Sequence, residues 1–518
     1  MGTARAVSEV HPSGGIVSLF EEKRRRALTE KGLWFELPFS EIQSMLFNGD
    51  SIRIDAESYS GGVLSAKRVM SAKALHSRPL GGKDGIADVF ILGRFKRAYT
   101  SDATHGTPYL SASEAFMFRP RKERWLATSR LPSHPELHYA RANWILISTS
   151  GSVGRPLLVT KRLEPFFLTH DLARIRLKDE EDTLPGYVYA FLASSLASVV
   201  LRQSKFGETV RHLEPSHISP LRVPSISRNR QEAIHQEVIR AYRLRDEAND
   251  SIDEALDELH EGLGIAPFDP AKATYLSHST PRHIGEWEYP SPSAFKTKSN
   301  DLNSGFIAEG HNPMLRLVTS TLGKGHYPPV PLGREDRVKS IFVAPRFRRV
   351  YVASEHGVPF LQGSDLPVVR PFLLKHLSKK TPGLSKWMVS KGWVLITCSG
   401  TIGEVGMVSS MEDGWAASQH ILRIVPLKEG RGFHPGYIAA FLLTEYGRQQ
   451  LIPYGAVVLE LTADTVKALK IPDAPSALQE KVGSKIMDAF EKRALALKVE
   501  DEAIQTTEEL IRNIATKD

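Results

Sequence analysis

The sequence has little of what secreted and membrane proteins usually contain. Only one of its 518 residues is a cysteine, Cys398, which excludes an internal disulfide framework and a multi-cysteine metal site. The longest apolar stretch, residues 187–201, contains three serines and is too short to cross a bilayer. Residues 1–15 contain no apolar core of the kind that a secretory signal needs. We therefore expect a soluble, cytoplasmic protein.

The short motifs of common catalytic centres are also missing from the sequence. It has no phosphate-binding loop ending in Gly-Lys-Ser/Thr, no Asn-Pro-Pro-Tyr motif of amino-methyltransferases and no His-Glu-x-x-His motif. The glycines of Ser150-Gly-Ser-Val-Gly154 have the wrong spacing for a nucleophile elbow. Glu21-Glu-Lys23 has no acidic partner upstream of it, as a metal-dependent nuclease would need. We therefore expect no catalytic residues, no metal and no bound cofactor in this chain.

The most informative feature of the sequence is an internal duplication. Blocks of the first half recur in the same order in the second half, at offsets between 248 and 252 residues. The matched blocks are Trp144-Ile-Leu-Ile-Ser-Thr-Ser-Gly-Ser-Val-Gly154 with Trp393-Val-Leu-Ile-Thr-Cys-Ser-Gly-Thr-Ile-Gly403, Arg94-Phe-Lys-Arg-Ala-Tyr99 with Arg346-Phe-Arg-Arg-Val-Tyr351, and Pro185-Gly-Tyr187 with Pro435-Gly-Tyr437. A period this long indicates two whole domains rather than a solenoid of short units.

The same secondary structure is predicted in each half. Apolar runs at 144–148 and 393–397 predict strands that end in Ser-Gly. The alternating stretches 172–177 and 421–425 predict strands with one face in water. A helix then begins at each Pro-Gly-Tyr. Each half is therefore predicted to be a mixed α and β globule of about 200 residues.

Each half ends in a predicted long helix. Residues 230–259 contain no proline or glycine, and apolar residues recur there at alternating spacings of four and three. Residues 478–514 repeat the pattern, and an arginine interrupts both seams, Arg245 in one and Arg493 in the other. Either the two helices pack on each other in antiparallel fashion, or each covers only its own globule. We expect deletion of residues 478–518 to leave the first globule folded.

The predicted fold class is α/β (α+β), with two tandem repeated globules that are separated and followed by long coiled-coil helices. The boundaries are a disordered tail (1–20), the first globule (21–225), the first helix (226–263), a connector (264–300), the second globule (301–473) and the second helix (474–518).

Basic clusters are the candidate binding residues. Lysine and arginine number 67 against 59 acidic residues, a net charge of +8 that permits a polyanionic partner. Guanidinium groups bind phosphates and can also read guanine edges, although a solvated basic face is the plain alternative. The phenylalanine inside Arg-Phe-basic-Arg suggests a strand with that ring buried and the basic residues outward. The candidates are Arg94, Lys96, Arg97, Arg121, Lys122, Lys205 and Arg211 in the first half, and Arg346, Arg348, Arg349, Lys375 and Lys379 in the second.

The repeated sequence blocks, which occur twice in the same order, resemble those of the specificity subunit of type I restriction–modification enzymes. The resemblance covers most of the chain, from about residue 51. The blocks that carry the resemblance are Gly392-Trp-Val-Leu-Ile-Thr-Cys-Ser-Gly-Thr-Ile-Gly403, Ser418-Gln-His-Ile-Leu-Arg-Ile424, Pro435-Gly-Tyr437, Leu469-Lys-Ile-Pro472 with Leu478-Gln-Glu480, and Arg53-Ile-Asp-Ala-Glu57. The chain departs from the family in its long connector and in Pro224-Ser-Ile-Ser-Arg-Asn-Arg-Gln231, which has no proline-rich run.

The resemblance implies a non-catalytic chain in which each globule is a target recognition domain for half of a split DNA sequence. The helices would dock two copies of a separate DNA methyltransferase, which would hold S-adenosylmethionine, and a restriction or translocase subunit is a further partner that it allows. The residues expected to bind this partner are Ile234, Val238, Tyr242, Ile252, Val482, Ile486, Phe490 and Ile504. Two other readings stay open, a tandem protein-interaction scaffold and the recognition subunit of a divergent phage-defence system.

Overall fold

The computed structural model describes residues 61–100, 103–203, 212–273, 282–284, 287–289, 311–427, 432–453 and 459–517. Several sequence predictions fall outside these residues. They are the tail at 1–20, Glu21-Glu-Lys23, Arg53-Ile-Asp-Ala-Glu57, Lys205, Arg211 and most of the connector.

The described residues combine helices and strands, so the predicted mixed α and β class is confirmed. The helices are α1 (Gly61–Met70), α2 (Ala112–Ala115), α3 (Pro185–Ala193), α4 (Ser195–Gln203), α5 (Pro215–Ile218), α6 (Arg228–Leu263), α7 (Pro313–Leu322), α8 (Pro435–Leu443), α9 (Glu445–Arg448), α10 (Ala463–Ala468) and α11 (Ser476–Ala515).

The strands are short, and most are two to six residues long. They are β1 (Ser77–Pro79), β2 (Ala87–Phe90), β3 (Tyr99–Thr100), β4 (Gly106–Leu110), β5 (Trp125–Ala127), β6 (Ile145–Ser148), β7 (Pro156–Leu158), β8 (Phe167–Leu168), β9 (Leu172–Leu177), β10 (Arg222–Pro224), β11 (Arg282–Ile284), β12 (Trp287–Tyr289), β13 (Pro329–Pro331), β14 (Val338–Val343), β15 (Tyr351–Val352), β16 (Gly357–Leu361), β17 (Lys375–Ser378), β18 (Val394–Thr397), β19 (Val405–Met407), β20 (Ala416–Ala417), β21 (Ile421–Pro426) and β22 (Lys470–Pro472).

Sheet topology repeats with the sequence. The main sheet of the first half has the order β2-β9-β6-β7, and that of the second half has the matching order β14-β21-β18-β19. All the strand pairs in both main sheets are antiparallel. A two-stranded ribbon, β1-β10 or β13-β22, accompanies each main sheet. The same topology twice is what duplication of a folded domain produces.

The central strand of each main sheet corrects one prediction. The alternating pattern of β9 and β21 predicted a face in water. Arg176 of β9 is exposed as predicted, but Arg174 and Arg423 are fully buried. Arg423 donates hydrogen bonds from Nη1 to the Ile421 carbonyl (2.5 Å) and from Nη2 to the Ala417 carbonyl (2.6 Å). Backbone carbonyls therefore take the place of water around a guanidinium that the pattern alone would put at the surface.

The repeated Pro-Gly-Tyr block joins each half to its long helix. A Cβ on Gly186 would lie 2.8 Å from the Cα of His235, so α3 approaches α6 too closely for any residue but glycine at that position. Tyr187 donates its hydroxyl to the Pro224 carbonyl (2.6 Å), and Tyr437 does the same to Pro472 (2.7 Å). The block is therefore a structural joint, built twice.

Two compact units divide the chain, and neither is continuous in sequence. The first comprises the described residues of Met1–Lys96, Pro132–Ile239 and Glu500–Asp518, and the second those of Arg97–Leu131 and Arg240–Val499. Each long helix therefore contributes to both units. Because the units interleave along the chain, the domain boundaries given above remain predictions.

Within the second unit, the segment Arg97–Leu131 is held by the second half of the chain. Its Phe118 amide donates to the Pro367 carbonyl (2.7 Å), next to an antiparallel bridge between Met117 and Val368. Phe118 also lies in the same core cluster as Phe490 of α11. These long-range contacts explain why a segment of the first half folds with the second.

In the second unit, α6 and α11 lie antiparallel. Residue numbers fall along α6 as they rise along α11 in the pairs Glu258–Lys481 (3.5 Å), Glu254–Lys485 (3.4 Å) and Glu247–Lys492 (3.9 Å). Exposed ion pairs of this kind add little stability. The buried seam between the helices supplies most of it, since small residues such as Ala248, Ala255 and Ala489 permit close approach.

The structure corrects the predicted partner-binding residues. All eight are buried within the chain: Ile234, Val238, Tyr242, Ile252, Val482, Ile486, Phe490 and Ile504. In the second unit, Ile252, Val482 and Ile486 belong to the same core cluster as the main sheet. The alanine-rich seam is therefore filled by the chain itself, and these residues are not available to another protein.

Candidate nucleic-acid interface

The Arg-Phe-basic-Arg motif lies in matching places in the two halves. It occupies the irregular segment between β2 and β3 in the first half and between β14 and β15 in the second. The expectation of a strand is therefore wrong. The motif instead lies in the connection from an edge strand of the main sheet, β2 or β14, to the first strand of a second four-stranded sheet, β3 or β15.

An aromatic anchor fixes each of these segments. Phe95 contacts His138 edge to face, with ring centroids 5.0 Å apart, and Phe347 contacts Trp387 at 4.1 Å. Both phenylalanines are half-buried, whereas the basic residues beside them are exposed. The exposed members are Arg94, Lys96, Arg346 and Arg348. The anchor holds the backbone, so the positive charges point into solvent without a strand to orient them.

The last arginine of each motif is placed differently from the others. Arg97 and Arg349 are half-buried and lie over aromatic rings, at 5.6 Å from the Tyr109 centroid and 5.3 Å from the Phe360 centroid. Arg349 also donates to Oε1 of Gln419 (2.6 Å). Cation–π and hydrogen-bond contacts restrict these guanidinium groups, so they are preorganised rather than freely mobile.

The Ser-Gly block forms a tight connection between β6 and β7, and between β18 and β19. The Gly154 amide donates to the Ser148 carbonyl (2.9 Å), and the Gly403 amide to the Thr397 carbonyl (2.9 Å). Gly151 and Gly400, at the exposed tips, have φ of 67° and 77°, a backbone conformation that favours glycine. A bare glycine tip permits close approach by another molecule.

A short turn that precedes β9 and β21 was missed by the sequence reasoning. In the second half it presents Gln419 and His420, whose side chains contact each other at 2.9 Å, Nε2 to Nε2. His420 Nδ1 also hydrogen bonds to the Ser399 hydroxyl, beside the glycine tip. Arg349, Gln419, His420 and Ser399 thus form one chain of polar side chains. The recurrence of an arginine just after this turn was the available signal.

The buried arginine of each half holds this turn. Arg423 donates to the carbonyls of Ala417 and Ser418 as well as that of Ile421. Arg174 donates to the carbonyls of Thr169 (3.2 Å) and Leu172 (2.8 Å). Burial lowers the pKa of each guanidinium to about 10, so both still carry a charge at neutral pH.

The other predicted basic residues have separate environments. Arg121 is only 19% exposed and is paired with Glu404 (2.5 Å) and Glu123 (3.2 Å). Lys122 is exposed. Lys375 is exposed with Nζ 4.9 Å from the Tyr351 ring centroid, and exposed Lys379 donates to the Glu355 carbonyl (3.2 Å). Arg121 therefore has its charge compensated inside the protein, whereas the three lysines lie at the surface.

The single cysteine has the environment of a core residue. Cys398 is buried, and desolvation, together with Glu460, raises its pKa to about 11, so it is a protonated thiol near neutral pH. Within the described part of the chain, no group of three or more His, Cys, Asp or Glu side chains could hold a metal ion. None of the helices described here combines the length and apolar character needed to cross a membrane.

No family model and no curated protein matches the chain. Among solved structures, it is similar to the S subunit of a type I restriction–modification system from M. genitalium, with 14% identity, a TM-score of 0.29, and coverage of 84% of this chain and 98% of that one. It is also similar to the HsdS subunit from Thermoanaerobacter tengcongensis, with 13% identity, a TM-score of 0.25, and coverage of 87% and 95%.

A third similar structure is described as the structural basis of complex assembly and conformational transition of the type I R-M system. It has 13% identity and a TM-score of 0.26, and the match covers 82% of this chain and 95% of that one. All three of these structures are described as S subunits or as part of a type I restriction–modification system, the family that the repeated sequence blocks of this chain resemble.

Proposed function

We propose that the chain is the non-catalytic DNA-recognition subunit of a type I restriction–modification system. It directs a partner DNA methyltransferase to a target of two unequal parts. The observation that carries this proposal is the duplicated surface, in which an exposed basic segment, an aromatic anchor and a glycine tip recur with the same backbone setting. Two such surfaces on one chain suit two half-sites read at once.

The exposed charges suit a polyanion. Arg346 has a side chain that is 82% exposed, and it pairs with Glu460 at 3.9 Å. An ion pair of this kind in water is weak, so a phosphate can displace the carboxylate at little cost. Each basic side chain that neutralises a phosphate releases a counterion and adds to affinity. We assign Arg94, Lys96, Arg346 and Arg348 to the DNA backbone, with Lys122, Lys375 and Lys379 as further candidates.

The sequence difference between the halves accounts for an asymmetric target. A homodimer presents identical surfaces and suits a palindrome, whereas this chain presents related but unequal ones. The two long helices act as the spacer and coiled-coil support between the target recognition domains. A methyltransferase partner must use their outward faces, where Leu495 is 42% exposed, because the seam is occupied. S-adenosylmethionine and the chemical step belong to that partner, and a restriction or translocase subunit can join the same assembly.

Replacing Arg346 and Arg348 with alanine is expected to weaken binding to all duplex sequences alike. Each lost phosphate contact reduces the magnitude of the slope of log affinity against log salt by about one. The slope of this double variant should therefore be smaller by about two. Base preference in both half-sites should stay the same. The measurement is affinity for a fixed set of duplexes at several salt concentrations. The Arg94→Ala, Lys96→Ala variant should behave in the same way through the first half.

A matched control removes two exposed lysines outside the motif, Lys339 on β14 and Lys470 on β22. It changes the net charge by the same amount in the same unit. Equal weakening in the control would show that total charge alone matters and would contradict the assignment. If the parent chain shows no salt-dependent binding to any duplex, the DNA-recognition function itself fails and a protein scaffold becomes the better account.

A further inference from the structure

The turns before β9 and β21 share a framework and differ in chemical class at two positions. Thr169-His-Asp-Leu-Ala-Arg174 aligns with Ser418-Gln-His-Ile-Leu-Arg423. The hydroxyl residue, the apolar residue at the start of the strand and the buried arginine recur in both. Between them, His170 and Asp171 stand in the first half where Gln419 and His420 stand in the second. The change of chemical class is therefore confined to the two residues that the turn presents.

The clamp by a buried arginine allows this variation. Arg174 and Arg423 bind the backbone carbonyls on both sides of the two variable residues. Burying a guanidinium costs free energy unless its hydrogen bonds are satisfied, and here main-chain carbonyls accept from both terminal nitrogens of each arginine, while Nε has no partner among the described residues. Since main-chain carbonyls are common to all residues, the turn keeps its backbone whatever side chains it presents.

The presented side chains are oriented but remain partly accessible. Gln419 is half-buried, and its Oε1 accepts from Arg349. A side-chain amide has two donors and two acceptor positions, so the Arg349 and His420 contacts leave donor and acceptor capacity. In the first half, His170 and Asp171 have side chains that are 14% and 29% exposed, with Nε2 and Oδ1 3.5 Å apart.

We propose that these two turns read bases, Gln419 an adenine in one half-site and Asp171 a cytosine in the other, with Arg174 and Arg423 as positioning residues. This inference rests on the DNA-recognition function proposed above. In the major groove, an amide can bond to N6 and N7 of adenine, and a carboxylate can accept from N4 of cytosine. His170 and His420 lie next to the reading groups and hold their orientation.

The test exchanges the two dipeptides. One variant carries Gln419→His with His420→Asp, and the reciprocal variant carries His170→Gln with Asp171→His. Each pair enters a matched setting, because the flanking hydroxyl residues Thr169 and Ser418, and the buried arginines Arg174 and Arg423, occupy equivalent positions in the repeats. The readout is selection from a duplex library of about 30 randomised base pairs, long enough for two half-sites and a spacer at ~3.4 Å per pair.

We expect the first variant to change preference at one or two positions of one half-site only, with about 10-fold or greater loss on the parent sequence, and its reciprocal to change only the other. Gln449→Ala, at the end of α9, is the matched control and should select the parent sequence. Unchanged selection by both exchanged variants, while the parent still selects a defined target, would overturn this inference and leave the DNA-recognition function standing. A parent chain that selects nothing would overturn both.

Arg423→Lys separates positioning from simple stability. It retains the charge but not the planar fork of donors, so we expect relaxed selection in the half-site read by Gln419 at a temperature where the variant is fully folded. Selection in the other half-site should be unchanged. A folded Arg423→Lys variant with parental selection in both half-sites would contradict the positioning role.

Discussion

Deletion of residues 478–518 is expected to destabilise the first compact unit as well as the second. The segment Glu500–Asp518 belongs to the first unit, where Ala503, Ile504 and Ile511 are buried. Loss of one large buried aliphatic side chain costs about 2–5 kcal/mol, against a total stability of about 5–15 kcal/mol for a domain. This expectation replaces the sequence-based one, that the first globule stays folded.

Polar contacts in the first unit lead to the same conclusion. The amide and hydroxyl of Ser195 donate to Glu508 (2.9 and 2.6 Å), and Tyr189 donates to buried Glu500. Removal of α11 leaves Tyr189 on α3 and Ser195 on α4 without these hydrogen-bond acceptors. Hydrogen exchange of peptides that cover β6 and β9 measures the effect, and protection there should fall to near that of an unfolded chain.

The control truncation removes only residues 513–518, none of which is buried among those described. It should retain parental exchange protection in β6 and β9. Full protection of these strands in the longer deletion would show that the first unit folds without α11, and would return the domain boundary to its place near residue 225. Any loss of DNA or partner binding in the longer deletion must be interpreted through this loss of structure.

Local pattern predicted the regular elements well. The strand predicted at 144–148 is Ile145–Ser148, and the helix predicted at 230–259 is Arg228–Leu263. Both depend on periodicity within one segment, which the sequence contains in full. Duplication strengthened these predictions, because each pattern was seen twice.

What sequence reasoning missed depends on distant parts of the chain. A single arginine in an alternating strand has the same pattern whether it faces water or, like Arg174, is surrounded by carbonyls from a neighbouring loop. The heptad seam showed which residues pack and allowed the two helices to pack on each other, but it did not show that this packing buries the residues assigned to a partner. Pairing of Met117 with Val368 joins positions that no local pattern relates, so the interleaved units could not be predicted.

At the site, the sequence predicted the basic residues but not the surface that they share. Arg349 was chosen for its charge, yet its position depends on Phe360 and Gln419, which are distant in sequence. Arg121 was chosen on the same ground, and the fold pairs it with Glu404 instead. Charge can be read from composition, whereas its compensation is a property of the folded chain.

Replacing Arg423 with methionine is expected to lower the free energy of unfolding of the second unit by about 3 kcal/mol. Methionine fills a similar volume and adapts to irregular space, so no large cavity arises. The loss comes from the guanidinium hydrogen bonds to the carbonyls of Ala417 and Ile421, since an unsatisfied buried polar group costs about 1–3 kcal/mol. The Ser418 carbonyl loses one bond but still accepts from the Ile421 amide (3.1 Å). Removal of the buried charge itself offsets part of this cost.

Urea unfolding followed by tryptophan fluorescence measures the change, because Trp387 and Trp393 lie in the second unit. Arg348→Met is the matched control, since the same substitution at an exposed arginine should stay within about 0.5 kcal/mol of the parent. Arg174→Met should repeat the loss in the first unit, because the same carbonyl contacts recur there. An Arg423→Met variant as stable as the parent would show that the guanidinium is not needed to hold the turn. In that case the recurrence of this arginine at both copies of the turn would have to come from its role in presenting the neighbouring side chains, and relaxed base selection in a fully stable variant would be the evidence for it.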